Sequence, residues 1–138
     1  MKKQIVILAI SLLLLGTVST FAEEEKSNGV AYLTEEEIDN YITGIHSDNL
    51  GLRVSCAYFL GEYKVSEAII PLMKMLNSEK SDEGRIIAAL SLIKIGTGKA
   101  VYAVKQAANL DKSERVRNLC EKFYNSFAYA ENEQKESF

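Results

Sequence analysis

The chain has 138 residues and a formal charge of −3; with 47% hydrophobic and 25% charged residues, one Pro and eight Gly, it fits one globular domain and not a collagen-like or disordered chain. Sixteen basic against nineteen acidic residues leave no strong basic field to hold a nucleic-acid backbone, so no nucleic acid is expected as a partner. One His and two Cys are too few for a multi-ligand zinc cage or a dense disulfide scaffold, and neither a metal nor a cofactor is expected.

At the start of the chain, Lys2 and Lys3 precede the apolar run Ile5 to Leu15, then Gly16 and the small, polar stretch from Thr17 to Ala22. This order predicts a secretory signal peptide over 1–22, cleaved after Ala22, and hence an exported protein, periplasmic or secreted. The uncharged stretch from Ile5 to Ala22 spans 18 residues, near the roughly 20 that a membrane span needs. An adaptor tethered by an uncleaved N-terminal segment is therefore the competing expectation. Cleavage removes two lysines and no acid, leaving −5 on 116 residues, an acidic module with no membrane contact. Residues 23–33, opening with Glu23-Glu24-Glu25, read as a flexible leader.

Thr34-Glu35-Glu36-Glu37 is a capping-box pattern and opens a helix to about Ile45, with Ile38, Tyr41, Ile42 and Ile45 on one face. Helical apolar spacing then predicts helices near 50–63, 67–77, 82–95, 99–109 and 114–129, with no sustained period-two alternation. Ser47-Asp48-Asn49, Lys64-Val65-Ser66, Asn77 to Ser81, Gly96-Thr97-Gly98 and Asp111-Lys112-Ser113 punctuate them as turns. Asn49, Ser81 and Ser113 are placed to cap the helices that follow. Residues 130–138 are charged and small, and read as a disordered tail.

The helices repeat with a period of 32. Arg53, Arg85 and Arg117 are evenly spaced, Cys56, Ala88 and Cys120 follow each by three, and Leu60, Leu92 and Tyr124 come next. Each two-helix unit exposes an apolar face that it buries only by stacking on its neighbours. Glu121 stands where Ala57 and Ala89 stand in the preceding units, so stacking beyond it would bury a carboxylate at several kcal/mol.

The strings from Leu52 to Gly61 and from Arg85 to Gly96 look like the first helix of a HEAT-type repeat, with its Arg, small pair, Leu and Gly, and Ala68 to Leu76 is similar to the second, Pro71 included. Residues 34–129 thus resemble the HEAT-like repeats also found in bilin lyases. The resemblance implies an all-α fold, a short right-handed α-solenoid of antiparallel helix pairs with about 2.5–3 repeats. It also implies a structural part for Arg53, Arg85 and Arg117, each guanidinium bonding a neighbouring turn carbonyl or carboxylate. Departures exist: the acid ahead of the arginine is Asp111 in the third unit without a clean counterpart in the first two, and Gly61 gives way to Ile93.

Catalytic groups do not assemble in this pattern. His46 has no acidic or nucleophilic companion at a telling spacing, and Gly96-Thr97-Gly98-Lys99 lacks the Gly, the Ser or Thr and the strand of a phosphate loop. Cys56 and Cys120 lie two units apart, roughly 16–20 Å if layers stack at 8–10 Å, beyond the reach of a disulfide. The second helices line the concave face of such a stack, and there Ile70 and Tyr102 form a pair 32 residues apart, flanked by Lys74 with Gln106 and Glu67 with Lys99. A Tyr beside an aliphatic residue with a mixed polar rim has the composition of a protein-binding patch, unless both are half-buried between helices. The expectation is an exported, non-catalytic protein-interaction or scaffold module, a monomer or weak homodimer that binds another protein. The alternative implied by the resemblance is an enzyme or chromophore handler like the bilin lyases.

Overall fold

The computed structural model describes residues 32–136. The expected signal peptide, almost all of the leader and the last two tail residues lie outside this range, as do the readings of cleavage and export that rest on them. The described part is all-helical, with six α-helices and no strand. They are α1 (Glu35–Gly44), α2 (Leu50–Glu62), α3 (Ile69–Ser78), α4 (Asp82–Ile95), α5 (Gly98–Leu110) and α6 (Glu114–Glu136), with a single 3-10 turn, Ser66–Ala68, leading into α3. No helix among the described residues is long and apolar enough to cross a membrane.

Local chemistry sets these boundaries. The Thr34 hydroxyl accepts from the Glu37 amide while the Glu37 carboxylate accepts from the Thr34 N–H at 2.8 Å, the reciprocal pairing that holds the first turn of α1. Asn49 and Ser81 cap α2 and α4 by accepting from Leu52 and Gly84, each at 3.0 Å. At Ser113 the carbonyl accepts from the Arg117 amide at 3.0 Å, and the hydroxyl donates to Asp82 at 2.5 Å and so links the start of α6 to the start of α4. Pro71 falls in the first turn of α3, where an amide has no intrahelical partner and its loss costs little.

Two helices end alike. Gly96, at the end of α4, has φ +74°, and Lys64, 32 residues earlier at the end of α2, has φ +51°. The Val65 amide then donates to the Leu60 carbonyl at 3.0 Å, the six-to-one bond that closes a helix past a left-handed residue. Glycine takes this conformation without strain; the lysine takes it against its Cβ.

The last helix is a correction. The tail composition predicts an end near 129, yet α6 continues to Glu136. Residues 130–136 lie exposed on a continuous helix, where carbonyls of the preceding turn satisfy the amides that an unstructured tail would leave to water.

α2 packs on α4 and α4 on α6, making one row; α3 and α5 pack against that row and touch each other, and α1 covers the free side of α2. The buried residues recur with the sequence period: Cys56, Ala88 and Cys120; Leu60 and Leu92; Ala68 and Ala100; Leu72 and Val104; Met75 and Ala107. Each buried Leu here contributes about 1.5–3 kcal/mol by leaving water. Small residues let the row close up. Ala57 and Ala89 are fully buried, and a Cβ on Gly61 would lie 2.6 Å from Ser91 Cα, so α2 and α4 approach nearly backbone to backbone. The Ser91 hydroxyl sits at that contact and donates to the Ala57 carbonyl at 2.7 Å.

Candidate functional site

The three arginines share a local environment. The Nη1 of Arg53 donates to the Ser47 and Asp48 carbonyls at 2.8 and 3.0 Å, that of Arg85 to the Glu79 and Lys80 carbonyls at 2.9 and 3.1 Å, and that of Arg117 to the Asp111 carbonyl at 2.7 Å. Each guanidinium thus fastens the turn in front of its own helix. Two also reach forward by 26 residues: the Arg53 Nε donates to Glu79 at 2.7 Å and the Arg85 Nε to Asp111 at 2.9 Å.

Glu79 and Asp111 are 32 residues apart, so Glu79 is the acid ahead of Arg85 that corresponds to Asp111 ahead of Arg117. Their carboxylates also accept from the amides two residues on, Ser81 at 3.1 Å and Ser113 at 2.8 Å. The Arg53 hydrogen bond holds the Glu79 carboxyl below the usual carboxylate range, against its partial burial. At Arg85, burial alone would lower the guanidinium pKa, but Asp111 and Asp82 outweigh it and raise it.

Surface pairs follow the same offset. Lys94 bonds Glu62 and Arg115 bonds Glu83, each across 32 residues. The Lys94 bond lowers the Glu62 pKa, with a smaller contribution from Tyr58.

Around this frame lie shallow depressions. The first, about 370 Å³, is lined by His46, Asp48, Arg53, Lys74, Glu79 and Lys80, among others. The second, about 300 Å³, has Arg85, Gln106, Asp111 and Lys112 in the places of Arg53, Lys74, Glu79 and Lys80. The third, about 270 Å³, lies between α5 and α6 and holds Tyr102, Lys105, Tyr124 and Phe127; the Lys105 ammonium sits 5.2 Å from the Tyr124 ring centre.

The residues singled out for partner binding therefore divide. Lys74 lines the first depression, Gln106 the second and Tyr102 the third, whereas Ile70, Glu67 and Lys99 line none of these three. Ile70 and Tyr102 are 44% and 62% exposed, so neither is packed away between neighbouring helices. Glu67 and Lys99 are exposed too, and the Glu67 carboxylate accepts from the Ser66 hydroxyl at 3.2 Å.

Sequence reasoning missed two groups. One is Lys105 with Tyr124 and Phe127; the other is an aromatic cluster on α1 and α2, where Phe59 lies 5.6 Å from the Tyr41 and Tyr58 rings and 6.4 Å from Tyr63. Tyr58, Phe59 and Tyr63 are about 40% exposed, and Lys94 lies 4.9 Å over the Tyr58 ring. A one-face plot of aromatic positions along α2 would have shown Phe59 and Tyr63 four residues apart.

Both cysteines are buried and unbridged. Burial pushes the Cys56 thiol up and the Cys120 thiol up to about 11, with the Asp111 charge a lesser contributor at Cys120. A thiol so raised holds little thiolate near neutrality and is a poor nucleophile. Among the described residues no three His, Cys, Asp or Glu side chains are grouped to hold a metal ion. The chain matches no protein-family model and no curated protein.

Proposed function

We propose that this protein is an exported, non-catalytic interaction or scaffold module, built as a short right-handed α-solenoid of about 2.5–3 HEAT-like repeats. The arginine-to-turn bonds at 53, 85 and 117, the matched first and second depressions and the buried positions recurring every 32 residues support the repeat reading. Export is proposed from the N-terminal sequence pattern.

The observation that carries the interaction reading is the pair Ile70 and Tyr102. Each stands exposed on a helix whose opposite face is buried through Leu72 or Val104, and the two helices lie side by side. Solvent-exposed apolar side chains in register on neighbouring helices suit a partner better than they suit water. Lys74, Gln106, Glu67 and Lys99 form the polar surround.

The test is affinity capture from the exported fraction with the parent chain and with Ile70→Ser combined with Tyr102→Ala. The expected result is loss of a co-purifying protein at unchanged helicity and melting temperature. Undiminished capture by the double variant refutes this surface. N-terminal sequencing of the exported product checks release: a chain starting at Glu23 supports it, and an intact Met1 favours a tethered adaptor.

A further inference from the structure

Charge is not spread evenly over the helices. α1, α2, α4 and α6 each contain at least one Asp or Glu. α3 and α5 contain none, and carry Lys74, Lys99 and Lys105. Within a chain of net charge −3, the two helices that bear Ile70 and Tyr102 are therefore purely cationic.

These lysines are not consumed by the fold. All three are exposed, and none forms an ion pair among the described residues; Lys105 instead lies over the Tyr124 ring. The turns after these helices add the exposed Lys80 and Lys112, which line the first and second depressions. The acids bordering this surface are Asp48 and Glu79 in the first depression, Asp111 in the second, Glu131 in the third, Glu121 in a further depression that it shares with Lys105, and Glu67 ahead of α3. Arg53 engages Glu79 and Arg85 engages Asp111 and Asp82, which leaves Lys74, Lys80, Lys99, Lys105 and Lys112 against Asp48, Glu67, Glu121 and Glu131, a narrow excess of cations.

From this segregation we infer that the surface of α3 and α5 docks an acidic polypeptide segment carrying an apolar side chain. The inference rests on the interaction reading above and adds the chemistry of the partner. Carboxylates meet Lys74 and Lys105, while the apolar side chain covers Ile70 and Tyr102. A nucleic-acid backbone is the poorer match, because one phosphate per few ångströms calls for a dense basic row, and here single lysines alternate with apolar side chains. A complementary field of this kind speeds encounter and rejects wrong partners, and salt weakens it.

The experiment is an amide-resolved NMR titration of the full-length chain with three synthetic peptides of about twelve residues. One sets leucines among glutamates, the second sets the same leucines among lysines, and the third sets them among serines. The expected result is saturable shifts at Ile70, Lys74, Tyr102 and Lys105 with the acidic peptide, weakened about tenfold by Lys74→Glu with Lys105→Glu. Raising the salt weakens it further, and the basic peptide gives no shifts.

Equal response to the acidic and serine peptides overturns the acidic-partner inference while leaving the interaction reading in place. Shifts confined to the aromatic cluster around Phe59, or to other surfaces, overturn both. A fourth arm with duplex DNA that shows the same lysine dependence and tighter binding also overturns the inference.

Discussion

Arg85 is the most consequential polar residue of the fold, and Arg85→Met is the sharpest test of how the helices are joined. Its side chain is 2% exposed and that of Asp111 is 7%. The guanidinium makes two bonds to Asp111 at 2.9 and 3.1 Å, one to Asp82 at 2.8 Å, and two to the Glu79 and Lys80 carbonyls. Methionine matches the stem in volume but strands a nearly buried carboxylate and two carbonyls, which costs about 3–5 kcal/mol. Arg53 is 19% exposed with a single carboxylate partner, so Arg53→Met costs less, about 1–3 kcal/mol. Arg117 makes one bond to a carbonyl, and Arg117→Met costs about 0.5–1.5 kcal/mol. Urea unfolding followed by circular dichroism reads all three, with the slope m checked for constancy. The order Arg85 above Arg53 above Arg117 is the expected outcome. Replacing Arg85 and Asp111 together by apolar residues recovers part of the loss, because the stranded charge is gone. An Arg85→Met variant no less stable than Arg117→Met refutes the reasoning.

Further predictions follow from other contacts. Gly61→Ala forces a Cβ to within 2.6 Å of Ser91 Cα and is expected to lower stability by about 1–3 kcal/mol, whereas Gly98→Ala, with nothing within 4 Å of the added Cβ, is neutral or stabilising; thermal melts of both decide it. Lys64→Gly relieves a left-handed lysine and is expected to raise the urea midpoint by the equivalent of about 1 kcal/mol; an unchanged midpoint argues that the strain is not there. The Glu79 pKa is depressed in the folded state, foremost by the Arg53 bond, and that of Asp82 likewise, foremost by the Ser113 hydroxyl. Their contribution is complete above the ordinary carboxylate range, where both states are ionised, and is lost as pH falls through that range toward the depressed folded values. Unfolding midpoints between neutral and acid pH are expected to decline along this course, and Arg53→Met is expected to flatten the Glu79 share; an unaltered slope in that variant contradicts the assignment. Cys56 and Cys120 are expected to resist alkylation at mildly alkaline pH until denaturant is added, by mass spectrometry, with rapid native labelling of either counting against it.

Much of the helical frame is readable from residue spacing because helix starts and turns are local events. Thr34, Asn49 and Ser81 cap where their hydroxyl or amide oxygens suggest, since a cap needs only the next three residues. Glu79 escaped notice because its role is non-local: a Glu and an Asp occupy the same register position, and only the distance to an arginine 26 residues earlier makes them equivalent. The Ser113 bond to Asp82 is hidden for the same reason, since its partner comes from another helix. The end of α6 lies beyond the boundary that composition predicts because charge-rich sequence suits a solvated helix as well as a loose tail. For the candidate binding residues, the 32-residue shift pairs Ile70 with Tyr102, but their exposure depends on how far apart α3 and α5 stand, which no single helix encodes.

The position of α4 has a mechanical consequence. Among the described helices it alone touches α2, α3, α5 and α6, and it holds both Arg85 and Ser91. α1 is anchored through α2, and α6 leans on α4 and α5, so either extremity can peel away while the middle stays knitted. Opening of this chain therefore proceeds inward from its margins, and the amides of Asp82–Ile95 surrender their hydrogens to solvent last.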